Sequence, residues 1–173
     1  MIKLEPLTGH HNRNGFNCGV DVLNAWLKHI ALQHQEKGIS RTFVAVPSSD
    51  LITERYQNLG YEDVGPASIL GFYALASALV FLDDLPPELA KRYPHQVPVT
   101  RLGRLAIRSD MQGQGLGRLL LADALNRAQS AAQSVGSAGI FVDAKDDRSS
   151  RFYQGFGFQV CGDQPLKLYL VMW

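Results

Sequence analysis

The sequence predicts an α/β protein: a mixed sheet, mostly antiparallel, with one parallel crossover and flanking helices. Three observations carry that reading. Strand-like and helix-like segments follow one another in mixed order, which favours a sheet with antiparallel parts. Around the second long helix the order is strand, glycine-rich turn, helix, strand, the order of a parallel crossover. The 173 residues, 46% of them hydrophobic, suffice for a core without disulfides or metals. No repeat, low-complexity tract or linker interrupts the chain, so one domain covering residues 1–173 is expected.

The elements follow in order. Ile2–Leu4 reads as a short strand. Phe16–Lys37 reads as a helix, because Leu23, Trp26, Leu27, Ile30 and Ala31 recur at three- and four-residue spacing. Asn17 or Asp21 is placed to cap its start and Gly38 to end it. Arg41–Val46 is a β-rich strand closed by Pro47. Asp50–Pro66 is polar and acidic and holds two glycines, so it reads as an excursion between strands. Ser68–Leu82 is the next strand. Asp83–Pro87 starts a short helix or loop, and Pro94 and Pro98 bracket another loop. Val99–Ile107 is a strand. Leu116–Val135 is the second long helix, with Leu116, Leu120, Ala124, Ala128, Ala131 and Val135 on its core face. Gly139–Ala144 is a strand and Ser149–Gln154 a short helix. Phe156–Cys161 and Leu166–Trp173 make a closing pair.

Composition excludes several classes. Cys18 and Cys161 show neither C-x-x-C spacing nor a nearby histidine cluster, so no metal site is expected and both thiols should be reduced. The first fifteen residues lack the apolar stretch of a signal peptide, and no run is long enough to span a membrane, so a cytoplasmic location is expected. Net charge is only +1, but it is unevenly spread. Residues 49–98 hold three Lys/Arg against seven Asp/Glu, and the remainder fourteen against nine. This split leads us to expect a basic surface built from some of Arg41, Arg92, Arg101, Arg104, Arg148 and Arg151, with Asp50–Pro66 away from it.

The strongest chemical signal is Gln112-Gly113-Gln114-Gly115-Leu116-Gly117-Arg118, between a strand and a long helix. Glycines let backbone approach a ligand closely, and helix N-terminal amides favour phosphate, so the physical reading is a pyrophosphate seat. The dinucleotide fingerprint fails because Arg118 stands where its third glycine belongs, and the P-loop fails for want of Gly-Lys-Ser/Thr.

At these residues the chain resembles the GNAT acetyltransferases, which carry Arg/Gln-x-x-Gly-x-Gly/Ala at such a turn, matched here by Gln112, Gly115 and Gly117. The resemblance implies the splayed GNAT sheet and acetyl-CoA as donor. It implies that amides from Gly113 to Arg118 hold the CoA pyrophosphate. It further implies that Leu105, Ala106 and Ile107 meet the pantetheine arm and offer an amide to the thioester oxygen, and that Ser149 and Phe152 line the cofactor. Phe152-Tyr153-Gln154-Gly155-Phe156-Gly157-Phe158 is similar to a second GNAT stretch, whose tyrosine protonates the departing thiolate. That makes Tyr153 the expected general acid, since a phenol with a pKa of about 10 carries its proton near neutrality.

Further strings resemble one branch of that superfamily, the acetyltransferase toxins of bacterial toxin–antitoxin pairs. They are Phe16-Asn17-Cys18-Gly19, Leu23-Asn24-Ala25-Trp26-Leu27, Ser40-Arg41-Thr42-Phe43-Val44, Leu102-Gly103-Arg104-Leu105-Ala106 and Val142-Asp143-Ala144. The branch acetylates the α-amino group of aminoacyl-tRNA and is held by a ribbon-helix-helix antitoxin. By resemblance, both partners are expected here, and a homodimer is compatible. The Asp50–Pro66 segment is longer and more acidic than is usual in the branch.

The chemistry offers a check on the acceptor. A lysine ammonium, with a pKa of about 10.4, needs a base, whereas an α-amine near 8 needs little help. The strand Val99–Ile107 carries Arg101 and Arg104 but no Asp or Glu, which favours the α-amine. Arg41, Arg101, Arg104, Arg148 and Arg151 are candidates for acceptor phosphates, and Asp143, with Asp146 and Asp147, for the ammonium, although carboxylates at a helix start are common without such a role. His10, His11, His29 and His34 read as surface or capping residues. A small amine or a protein N-terminus remains an alternative acceptor, and a non-enzymatic CoA-binding module an alternative role.

Overall fold

A computed structural model describes residues 1–81, 85 and 87–172. The sequence-based expectations at Leu82–Asp84, Pro86 and Trp173 lie outside the described residues. The chain runs β1 (Ile2–Pro6), α1 (Asp21–His29), α2 (Ala31–Glu36), β2 (Arg41–Pro47), α3 (Asp50–Asn58), β3 (Gly71–Phe81) and α4 (Pro87–Ala90). It continues through β4 (Gln96–Ile107), α5 (Leu116–Ala132), β5 (Gly139–Asp143), α6 (Asp147–Gln154), β6 (Gln159–Cys161) and β7 (Gln164–Val171). The strands are hydrogen-bonded in the order β1-β2-β3-β4-β5-β7-β6. Two compact units are distinguished: Met1–Ala74 with Arg104–Asp123, and Leu75–Gly103 with Ala124–Trp173.

In the first unit β1 lies antiparallel to β2, from Ile2↔Pro47 to Pro6↔Phe43. Buried residues on β2 run continuously from Val44 to Pro47, because a strand covered on both faces needs no polar alternation. The core gathers Leu7, Phe16, Trp26, Leu27, Val44, Val46, Phe72 and Ala106. Phe72 stacks on Trp26 at 6.1 Å and meets the edge of Phe16 at 5.4 Å. The single helix expected over Phe16–Lys37 is in fact two, and neither begins before Asp21. Ile30, at the break, has φ −120° and is 38% exposed instead of joining the core stripe. Neither expected cap is made. Asn17 Oδ1 accepts from Gly19 N and Asn24 Nδ2, which folds the Phe16–Val20 loop locally and leaves Val20 at the N-cap. Gly38 does end α2, at φ +72°, with Gly38 N donating to Gln35 O and Ile39 N to His34 O.

Asp50–Pro66 is not wholly irregular, because it opens with α3. Ser49 caps that helix through Ile52 N, and only Thr53 and Tyr56 are buried. So thin an apolar face gives almost no periodic signal.

In the second unit β4 runs parallel to β5 over Thr100↔Ile140 to Leu102↔Val142, and β7 lies antiparallel to both β5 and β6. The parallel ladder stops at Leu102, although β4 itself continues to Ile107. The core of this unit holds Val80, Leu85, Val97, Val99, Phe141, Cys161 and Tyr169. β4 begins earlier than expected and passes through Pro98, whose carbonyl accepts from Ala138 N. β3 begins at Gly71 instead of Ser68. β7 begins at Gln164, and β6 only at Gln159, because Phe156–Phe158 are bonded back to the end of α6.

Helix α5 ends at Ala132, not Val135, which is 71% exposed. Its buried positions are Leu120, Leu121, Ala124, Ala128 and Ala132. The expected Ala131 and Val135 are displaced by an i, i+4 row that continues unbroken to the last turn.

Candidate active site

The glycine-rich turn belongs to the first unit. β4 delivers Leu105, Ala106 and Ile107, the first half-buried and the others buried. A short 3₁₀ turn, Ser109–Met111, follows, and Met111 is buried. Gln112 then folds back: its Nε2 donates to Ile107 O and to Cys18 O, both at 3.1 Å. Its side chain therefore pins the turn to the strand end and the Cys18 loop. Gly113 and Gly115 have φ +79° and +86°, and a Cβ at either would meet nothing within 4 Å. Glycine is needed there for conformation, not for room. Leu116, Gly117 and Arg118 form the first turn of α5, where helix amides lack intrahelical acceptors.

Around this turn lies a network that the sequence reading missed. The buried Arg108 donates through Nε and Nη2 to the two carboxylate oxygens of Asp110, at 2.9 and 2.6 Å, and through Nη2 to Asp63 at 3.2 Å. The Arg108 hydrogen bonds hold the Asp110 carboxyl below the usual carboxylate range. Tyr61 donates its hydroxyl to Asp110 O at 3.3 Å and accepts from Gln114 Nε2 at 3.0 Å. The far end of Asp50–Pro66 thus lies against the turn. Partners 45 to 53 residues apart leave no local signal; only the unusual length of the segment marked it.

Arg104 lies 4.1 Å over the ring of Trp26, and burial lowers its pKa from the ordinary guanidinium value. It has no carboxylate partner among the described residues. Arg41, at the start of β2, is exposed. His11 is buried with both ring nitrogens engaged: Nδ1 accepts from Thr8 N at 3.0 Å and Nε2 meets Glu5 at 2.7 Å. It fastens a turn and has no nitrogen left for chemistry.

The second unit carries Tyr153. Asp146 caps α6 through Ser149 N at 2.8 Å, and that amide holds its carboxyl below the usual range. Ser149 and Phe152 are half-buried, and Arg148 and Arg151 exposed. Tyr153 is 7% exposed, with the rings of Phe152 and Phe158 edge-on at 5.3 and 5.5 Å. Burial pushes its phenol up to about 12. Its hydroxyl makes no hydrogen bond among the described residues. Arg101 and Asp143, expected to face phosphate and ammonium, are bound to each other at 3.0 Å. Asp147 begins α6 and is exposed.

Among the described residues no cluster of three metal-ligating side chains occurs, no disulfide joins the two buried cysteines, and no helix is long and apolar enough to cross a membrane.

Residues 92–168 match the family model described as an acetyltransferase (GNAT) domain. The chain is 36% identical over 157 residues to the tRNA-acetylating toxin of Mycobacterium tuberculosis strain H37Rv, covering 91% of this chain and 84% of that protein. A tyrosine-to-phenylalanine mutant of KacT superposes with a TM-score of 0.84 at 26% identity, covering 99% of this chain and 95% of that one. KacTA has also been solved bound to DNA. AtaT complexed with acetyl-methionyl-tRNAfMet gives 0.82 at 27% identity, with the same 99% and 95% coverage. The AtaT mutant toxin has been solved bound to acetyl-CoA and the C-terminus of the antitoxin AtaR. With a relative of this identity and coverage, the chain belongs to the GNAT acetyltransferase family, in the branch of the tRNA-acetylating toxins.

Proposed function

We propose that the chain is a toxin that transfers acetyl from acetyl-CoA to the α-amino group of aminoacyl-tRNA and so blocks translation. The observation that carries this reading is the identity to a tRNA-acetylating toxin over nine-tenths of the chain. The two compact units act as one acetyltransferase domain, in the cytoplasm. Amides from Gly113 to Arg118 bind the diphosphate, with Gly113 and Gly115 supplying the left-handed backbone that lets them converge. Gln112 contributes by fixing the turn. Leu105–Ile107 line the pantetheine arm, with Ser149 and Phe152, and an amide near Ala106 holds the thioester oxygen as the tetrahedral intermediate forms.

The α-amine attacks the thioester carbon directly. Its proton goes to water, because β4 carries no carboxylate and an amine near pKa 8 keeps a reactive neutral fraction at working pH without a dedicated base. Tyr153 then gives its phenolic proton to the sulfur as the C–S bond breaks. Its high pKa keeps that proton in place before the step. A thiolate is ordinarily a weaker base than such a phenolate, at about 8.5, but desolvation raises the basicity of the expelled sulfur too. Arg41, Arg104, Arg148 and Arg151 meet acceptor phosphates, while Arg101 is tied to Asp143.

An antitoxin restrains the activity. We take it to be of the ribbon-helix-helix class, since a DNA-bound KacTA assembly fits a DNA-binding antitoxin, and the toxin to act as a homodimer. Incubation with labelled acetyl-CoA and total charged tRNA tests the activity. N-acetylaminoacyl adenosine should be recovered after nuclease digestion; labelled small amines with unlabelled tRNA would refute the assignment.

A further inference from the structure

The phosphate turn has two side-chain handles, Gln112 and Gln114, on either side of Gly113, and a Cβ at Gly113 or Gly115 would meet nothing within 4 Å. Gln112 is anchored on the strand end and the Cys18 loop. Among the described residues, Gln114 is anchored only by the hydroxyl of Tyr61, at 3.0 Å. The same hydroxyl reaches the carbonyl of Asp110, two residues ahead of Gln112. Tyr61 is itself held firmly. Its amide donates to Tyr56 O, its ring meets the edge of the buried Tyr56 at 6.1 Å, and Gln57 Nε2 ties α3 to Val64 O at 2.8 Å. Two residues on, Asp63 reaches Arg108, the base of the turn.

A Gly-Gln-Gly segment with both glycines at positive φ samples many backbone states when its middle residue is untethered. Amides that must converge on a diphosphate bind more tightly when already arranged, because the ordering cost is absent from the binding step. Resting on the reading that Gly113–Arg118 seats that diphosphate, we propose that Tyr61 is a positioning residue for acetyl-CoA. It acts through Gln114 to preorganise the phosphate turn and touches neither the thioester nor the acceptor. The Asp50–Pro66 segment is therefore a brace for donor binding.

The test is Tyr61→Phe in the full chain, which keeps the ring on Tyr56 and removes one hydroxyl. Losing a hydrogen bond of this exposed kind should raise the calorimetric Kd for CoA, and the KM for acetyl-CoA, roughly three- to tenfold. The kcat at saturating donor and the KM for charged tRNA should stay at wild-type values. With S-acetylpantetheine, which lacks the diphosphate, mutant and wild type should be equal. Adding Tyr61→Phe to Gln114→Leu should cost less than the sum of the two single changes, since both remove the Tyr61–Gln114 link and Tyr61→Phe further removes just the bond to Asp110 O. Unchanged CoA affinity, additive losses, or an equal defect with S-acetylpantetheine would each overturn the brace while leaving the diphosphate seat standing. A wild-type chain that does not bind CoA would overturn both.

Discussion

Arg108 grips Asp110 with two prongs, Nε on one carboxylate oxygen at 2.9 Å and Nη2 on the other at 2.6 Å. The guanidinium is buried and the carboxylate about half exposed, so the pair joins the end of β4 to the surface turn that follows. Hydrogen bonds to charged groups contribute about 1.5–3 kcal/mol, discounted here because the acid faces water. Arg108→Met should therefore destabilise the protein by about 1–2 kcal/mol, read from the urea midpoint. Lysine should recover little of it, lacking the fork. Arg108 holds the Asp110 carboxyl below its ordinary value. The associated stability is present above the unfolded aspartate pKa of about 3.9 and is lost as pH falls through the folded value. The wild-type and Arg108→Met unfolding midpoints should converge below about pH 4. A gap that persists unchanged to pH 2 would mean the carboxylate is not the partner that matters.

Gly115 separates two causes of lost donor binding. Its φ of +86° strains any side chain, although a Cβ would find open space. Gly115→Ala should cost about 1–3 kcal/mol in backbone strain, shared between stability and CoA affinity. Gly115→Asp adds a negative charge where the diphosphate is to lie and should abolish binding. Calorimetry on both folded variants decides. If Asp binds CoA as well as Ala does, the diphosphate lies elsewhere.

Much of this was legible in the sequence, for identifiable reasons. The glycine turn is a contiguous string whose chemistry is local, and Tyr153 is marked by a contiguous string similar to a GNAT stretch. The strands and long helices show because their apolar residues repeat. What failed was also physical. The Asn17–Asn24 side-chain bond spent the expected cap inside a loop and pushed the helix start to Asp21. Helix α3 buries only Thr53 and Tyr56, so periodicity could not reveal it, though Ser49 and Gly60 at its ends are ordinary punctuation. Gly139 reads as a strand residue of no note. A Cβ there would lie 2.4 Å from Leu170 O and 2.6 Å from the Tyr169 ring, a closeness set by cross-strand packing. The Tyr61, Asp63 and Arg108 brace depends on residues distant in sequence, which no window joins.

Arg101 and Arg104 differ by three positions and should differ in function. Arg101 is neutralised by Asp143, whereas Arg104 rests on Trp26 without a carboxylate partner among the described residues. If Arg104 meets a tRNA phosphate, Arg104→Gln should weaken binding and lower the slope of log K against log salt by about 0.7–0.9. Arg101→Gln should do less. Asp143→Asn should strengthen binding by releasing Arg101. Fluorescence anisotropy with charged tRNA over a salt series measures all three. Equal slopes in wild type and Arg104→Gln would remove this arginine from the phosphate path.

Tyr153→Phe should leave CoA affinity and thermal stability nearly unchanged, because the ring keeps its contacts with Phe152 and Phe158 and the hydroxyl has no hydrogen bond among the described residues to lose. Acetyl transfer should fall about 10²–10⁴-fold, the usual contribution of a general acid. Expression of the wild type should arrest growth and expression of the mutant should not. The pH profile gives a sharper check. The acid form of the phenol is required, and burial sets its pKa at about 12. Rate should therefore rise with pH as the α-amine loses its proton near 8, then stay level to about pH 10. An ordinary tyrosine of pKa about 10 would already have lost half its acid form there. A falling limb centred near pH 9–10 in the wild type would show that burial does not hold the phenol above its ordinary value, whereas near-wild-type transfer by the mutant would take the proton-donor role from Tyr153 and give it to water or the acceptor.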